Sequence, residues 1–258
     1  MITRLLSGRR RLAVLRQIDR PAVVLLAVAQ ALVAAAGWFA SPVWLAGAVA
    51  AQLALGGIGA VRILGPARSE LGLARYAMPA VAGITVTLFG RLIPGGLSVL
   101  LVPIVAVLLW SVTYLELRVE RGTGGRTIGE LLLTAMVLAG ASGILTLYGT
   151  LTWPTPLILI AGLTLPLALR AAEARGTVGA EGVGLALLQL LVVTQVGVAS
   201  VLLMLPPLVV AALMALAFYA WSGAVDALRG EASGWSVARE FGALAALGLI
   251  IGLLLSRA

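Results

Sequence analysis

Ionisable residues are scarce in this chain, and they recur at a regular interval. Arg170-Ala171-Ala172-Glu173-Ala174-Arg175-Gly176-Thr177 is a charged island between two long apolar runs. Glu120-Arg121-Gly122-Thr123 precedes it, Asp226-Ala227-Leu228-Arg229-Gly230 follows it, and Arg68-Ser69-Glu70 is a weaker first copy. Arg68, Arg121, Arg175 and Arg229 are spaced by 53, 54 and 54 residues, and Glu120, Glu173 and Asp226 by 53 and 53. A guanidinium fork meets phosphate oxygens bidentately. Arg68, Arg118, Arg121, Arg170, Arg175 and Arg229, with Glu70 and Glu173 beside them, are therefore the candidates for holding a phosphate-bearing headgroup, the glutamates being able to share a divalent cation. The competing reading is structural: Arg170 with Glu173, and Asp226 with Arg229, pair at i,i+3 on helix ends. Spacing alone favours the structural reading. A second group, Gln189, Thr194 and Gln195, lies inside an apolar run, as do Gln30, Gln52, Thr85, Thr87 and Thr134. Interhelical hydrogen bonds of about 1 kcal/mol each are the default use of such groups, and contact with a ligand is the sharper alternative.

What is missing narrows the chemistry. The 258 residues include no Cys and no His, which excludes disulfides, thiol nucleophiles, thiolate or imidazole metal sites and histidine bases. There is no Lys, hence no Schiff base, and no Asn; all 18 basic residues are Arg. Only 11% of residues are charged and 61% are hydrophobic, against about 25% charged in a soluble domain. The composition is that of an all-α integral membrane protein. Its net charge of +8 sits at the ends of apolar runs, where membrane orientation and anionic lipids account for it without nucleic acid.

Those runs must position the charged islands. A period near 54 fits two membrane-crossing helices of about 20 residues plus two turns. Nine spans are predicted: Pro21–Phe39, Val43–Leu64, Tyr76–Gly90, Leu97–Leu115, Leu131–Tyr148, Pro156–Leu169, Gly184–Leu205, Leu208–Ala224 and Phe241–Ser256, the third and sixth short. Residues 1–20 read as a basic amphipathic arm and 21–258 as a single transmembrane bundle. With the N-terminus cytoplasmic, 16 arginines fall on the inner side and only Arg91 and Arg257 on the other. That split places the N-terminus inside and the C-terminus outside, in a bacterial-type inner membrane. No Asp, Glu or Arg falls at the middle of a predicted span, which counts against an ion-coupled pump. The tryptophans are expected as interfacial anchors. Gly47-x-x-x-Ala51, Gly56-Gly57-x-Gly59 and Ala139–Gly143 are expected as close helix contacts.

Nine helices, an arginine-rich arm ending in Arg20-Pro21, and charged loops after the second, fourth, sixth and eighth helices resemble the UbiA-type intramembrane prenyltransferases. The resemblance implies a helical bundle that takes an isoprenoid lipid at its cytoplasmic face. In that family Mg²⁺ is held by aspartate-rich motifs after helices two and six. Here the corresponding stretches offer Glu70 in the first and Glu173 and Glu181 in the second, and the chain has just two aspartates, Asp19 and Asp226. Mg²⁺ prefers several oxygen ligands in near-octahedral array, so it is expected only if transferase activity is retained, and no metal ligand is assigned. The expected partners are membrane lipids, an isoprenoid among them. Two other readings stand beside this one: a permease or lipid-flipping protein, and a structural subunit of a membrane complex.

Overall fold

The computed structural model describes residues 20–65, 72–94, 100–120, 126–148, 154–230 and 233–255; the basic arm up to residue 19 lies outside them. Among the described residues every element is helical. These are α1 (Arg20–Trp38), α2 (Pro42–Leu64), a 3-10 turn (Ala74–Tyr76), α3 (Met78–Gly90), α4 (Val102–Glu120), α5 (Arg126–Tyr148), α6 (Thr155–Ala174), α7 (Gly179–Leu202), α8 (Pro207–Arg229) and α9 (Gly234–Leu255). Proline stands in the first turn of α2, α3, α6 and α8, where its missing N–H costs no intrahelical bond.

Seven of these helices are long and apolar enough to cross a membrane. The other two are shorter apolar stretches, Met78–Gly90 and Val102–Leu117. At 1.5 Å per residue α3 extends ~20 Å, less than the ~30 Å hydrocarbon thickness. The outward faces are apolar: Leu25, Val43, Leu202 and Met204 are 71%, 80%, 76% and 91% exposed. A surface of this kind is stable against lipid and not against water.

Helix ends deviate from expectation mainly on one side. At the uncharged ends the predicted and observed limits agree within about three residues, except that α4 begins at Val102 and not at Leu97. At the charged ends α4, α5, α6, α7 and α8 each run five residues beyond the apolar stretch, to Glu120, Arg126, Ala174, Gly179 and Arg229. Apolar run length measures lipid thickness, whereas a helix continues wherever its polar residues find partners. The sixth helix is accordingly not short; it has 20 residues, with Pro166 inside it.

Two groups of four helices are evident in the packing. In the first, α1 packs on α2, α3 and α4, and α3 on both α2 and α4; in the second, α5 packs on α6 and α8, and α7 on α6 and α8. The α3–α5 contact joins the groups, and α9 lies on α8. Small residues set the closest approaches: a Cβ on Gly56 would strike the Ala80 backbone, and one on Gly143 would meet Leu88. Gly47 and Gly57, expected at contacts, face open space. Trp38 is not a lipid-facing anchor either: it is 7% exposed and its indole N–H donates to the Val86 carbonyl at 3.2 Å. Trp44 and Trp235, 73% and 79% exposed, do face outward.

Candidate functional site

Two features lie at the charged end of the bundle, and a third runs from mid-depth toward its uncharged end. The first is a buried charge cluster linking the two groups of helices. Arg170, one turn before the end of α6, is 8% exposed and meets Glu116 of α4, with Nε at 2.8 Å and Nη2 at 2.6 Å from one carboxylate oxygen. Its i,i+3 neighbour Glu173 is a longer 3.8 Å away. Glu173 reaches instead to the segment before α3: it accepts the Ala74 N–H at 2.9 Å, and its carboxylate lies where a Cβ on Gly72 would collide with it. Arg75, 3% exposed, donates to the Tyr76 hydroxyl at 2.6 Å and lies over that ring at 4.6 Å; Tyr76 donates in turn to the Gly65 carbonyl. Charges this deep persist because each is paired, and removing one partner strands the other.

The second feature is a polar cavity of ≈ 450 Å³ bordered by Thr127, Glu130, Arg175, Asp226, Arg229 and Gly230. Arg175 is placed by the turn that ends α6. Gly176 takes φ +78°, the left-handed conformation, so that the Thr177 N–H and hydroxyl both reach the Ala172 carbonyl, closing the helix in a Schellman arrangement. The Arg175 side chain, 3% exposed, lies 2.9 Å from Asp226 on α8 and 3.6 Å from Glu130 on α5. Arg229 meets Glu181 at 3.1 Å. Glu181 is in the first turn of α7 and Arg229 in the last turn of α8, the ends whose dipoles favour those signs.

The third is an apolar cleft of ≈ 350 Å³ between α3, α4 and α5, with Trp38 of α1 at one end. Val105, Leu109 and Val112 of α4 and Leu132, Ala135 and Ala139 of α5 form much of its wall. At 100° per residue Glu116 continues the face of Val105, Leu109 and Val112 by one turn. The Glu116–Arg170 pair therefore lies a turn beyond Val112, the last α4 residue of the cleft wall. On α5 the same geometry puts Thr127 and Glu130 opposite Leu132, Ala135 and Ala139, so this helix separates the polar cavity from the apolar cleft.

Comparisons with protein-family models, with curated proteins and with solved structures found no match.

Of the residues singled out from sequence, Arg68, Glu70 and Arg121 lie outside the described residues, and Arg118 is on α4 with its side chain outside them. Arg170 and Glu173 share the first cluster, and Arg175 and Arg229 border the polar cavity. The expected local pairing does not dominate, since the short bonds of Arg170, Asp226 and Arg229 all run to other helices. Gln189, Thr194 and Gln195 are not brought together. Gln189 is buried and donates to the Phe218 carbonyl and the Ser222 hydroxyl at 3.1 and 3.0 Å. Thr194 bonds back to its own helix, and Gln195 is exposed. A separate buried polar group joins α1, α2 and α3: Gln30 donates to the Pro79 carbonyl, and Gln52 to the Gln30 carbonyl and to Thr87. Glu116 is one of the acids at the charged ends of the runs, and local spacing does not pair it with Arg170. It precedes Arg170 by 54 residues, the interval at which the arginines themselves recur. Among the described residues no three acids gather as a metal site would require.

Proposed function

We propose that this protein crosses the membrane nine times, with the charged end of the bundle in the cytoplasm, and that it is a UbiA-like scaffold holding an isoprenoid or other lipid chain. The cleft between α3, α4 and α5 carries this reading. It is lined by apolar side chains with Thr85 among them, and Ile104 and Leu108 of its wall are exposed on the outer surface of the bundle. In a bilayer an apolar recess of this kind is filled by hydrocarbon. Helix order is in keeping with a repeated architecture: α5, α6, α7 and α8 begin 106, 113, 101 and 105 residues after α1, α2, α3 and α4, about twice the period of the charged islands. An even number of helices per repeat returns each half in the same orientation. The degenerate aspartate motifs make the scaffold a lipid-binding protein whose metal-dependent transfer chemistry is lost. A permease would need a polar route at mid-depth, and Gln30, Gln52 and Gln189 spend their amide donors on bonds between helices.

Trp38 borders the cleft and so reports on its occupant. In detergent, a prenyl chain carrying bromine should quench tryptophan emission saturably, and Trp38→Phe should remove most of that saturable part. Quenching that is linear in added lipid, or unaffected in Trp38→Phe, would show that no chain enters. Sidedness is tested by single cysteines placed in this cysteine-free chain: Ser233→Cys should react with an impermeant reagent only from the cytoplasmic side.

A further inference from the structure

Resting on the lipid-binding reading, we infer that the α3–α4–α5 cleft takes an acyl chain of an anionic phospholipid, whose phosphate is held by Arg91 at the uncharged end of the bundle. Arg91 directly follows α3 and stands between Gly90 and Ile93, both on the border of the cleft. Its Nη1 donates to the Ala40 carbonyl at 2.8 Å and to the Gly37 carbonyl at 3.4 Å. Those two carbonyls flank Trp38, the residue that marks that end of the cleft. The guanidinium is thus moored beside the cleft by one arm of its fork. Arg91 is partly exposed, and its Nε and Nη2 have no hydrogen-bond partner among the described residues.

Charge complementarity is the first ground. In the turns at that end, residues 37–44, 88–101, 147–156 and 201–208, Arg91 is the single charged side chain. The carbonyls at the end of α1 offer only the partial negative charge of a helix terminus, so a net positive charge remains. The charged end is built differently, since Arg170, Arg175 and Arg229 each meet an acid. A phosphodiester supplies the missing anion and suits a guanidinium fork. Depth is the second ground. Along α4 the cleft wall runs from Leu101 to Val112, a rise of ~16 Å at 1.5 Å per residue. That is about half of the ~30 Å hydrocarbon thickness, the reach of an acyl chain whose headgroup lies at the uncharged end. Phe89, Ile104 and Leu108 of the wall are exposed on the outer surface, so a chain can enter sideways from the bilayer.

The purified full-length protein, in neutral maltoside micelles, is titrated with phosphatidylglycerol and with diacylglycerol carrying the same brominated acyl chains. The quantity read is the saturable quenching that Trp38→Phe removes. Phosphatidylglycerol should bind roughly tenfold more tightly than diacylglycerol, the order expected of a hydrogen bond to a charged group. Arg91→Gln should close most of that gap, Arg91→Lys should preserve much of it, and Arg239→Gln at the opposite end should leave it unchanged. Diacylglycerol binding as tightly as phosphatidylglycerol, a gap that persists in folded Arg91→Gln, or one that vanishes in Arg239→Gln would each overturn the inference while leaving the lipid-binding reading intact. No saturable quenching by either lipid would overturn both. The wild-type comparison and Arg91→Lys decide the matter where Arg91→Gln does not fold.

Discussion

At the scale of single residues, the account turns on Arg170. Its guanidinium joins α6 to α4 through Glu116 and stands beside the Glu173 carboxylate that anchors Ala74. Truncating it strands two acids in a site that is about nine-tenths buried. Arg170→Ala should destabilise the protein in detergent by about 3–5 kcal/mol, as is typical when one member of a buried pair is removed. The double variant Arg170→Met/Glu116→Met should recover about half of that loss, because a matched apolar pair removes the bare charge at Glu116 while Glu173 keeps only the Ala74 N–H. Thermal unfolding of the single and double variants checks both statements; equal destabilisation by single and double would show that the pairing itself is not what matters.

At the scale of helices, close approach at glycine governs how the first four pack. Gly56 of α2 rests on the backbone of Ala80 in α3, and backbone cannot yield as a flexible side chain can. Gly56→Ala should therefore cost about 1–3 kcal/mol through overpacking, whereas Gly47→Ala, facing open space, should be near neutral. Similar losses at both positions would contradict the packing described. This contrast also marks how far the sequence could be read. Apolar runs located the helices, because twenty residues of hydrocarbon-compatible side chain have few other uses. They misplaced the charged ends of α4 to α8 by five residues and that of α9 by seven, because run length measures apolar side chains and not the polar partners that extend a helix. Arg170–Glu116 and Arg175–Asp226 are separated by 54 and 51 residues, and no rule of local spacing reveals which acid meets which arginine. Likewise a Gly-rich stretch announces close packing without saying which glycine faces the neighbour: Gly56 does and Gly57 does not. Gln189, Thr194 and Gln195 are near in sequence, yet 100° per residue turns them onto different faces of α7.

At the scale of the whole molecule, the two helix groups meet at α3 and α5, and the space they leave beside α4 is the apolar cleft. Polar and apolar recesses are kept apart by α5, which has charge on one face and small apolar residues on the other. That separation gives the bundle an apolar recess distinct from its charged rim. The most direct measurement is native mass spectrometry of the protein extracted from its own membranes. Wild type should retain one lipid through stepwise detergent exchange, and Ala139→Phe, which fills the cleft wall, should lose it while keeping its unfolding temperature within a few degrees. A wild-type protein that emerges bare, or an Ala139→Phe variant that retains the same lipid, would contradict the account.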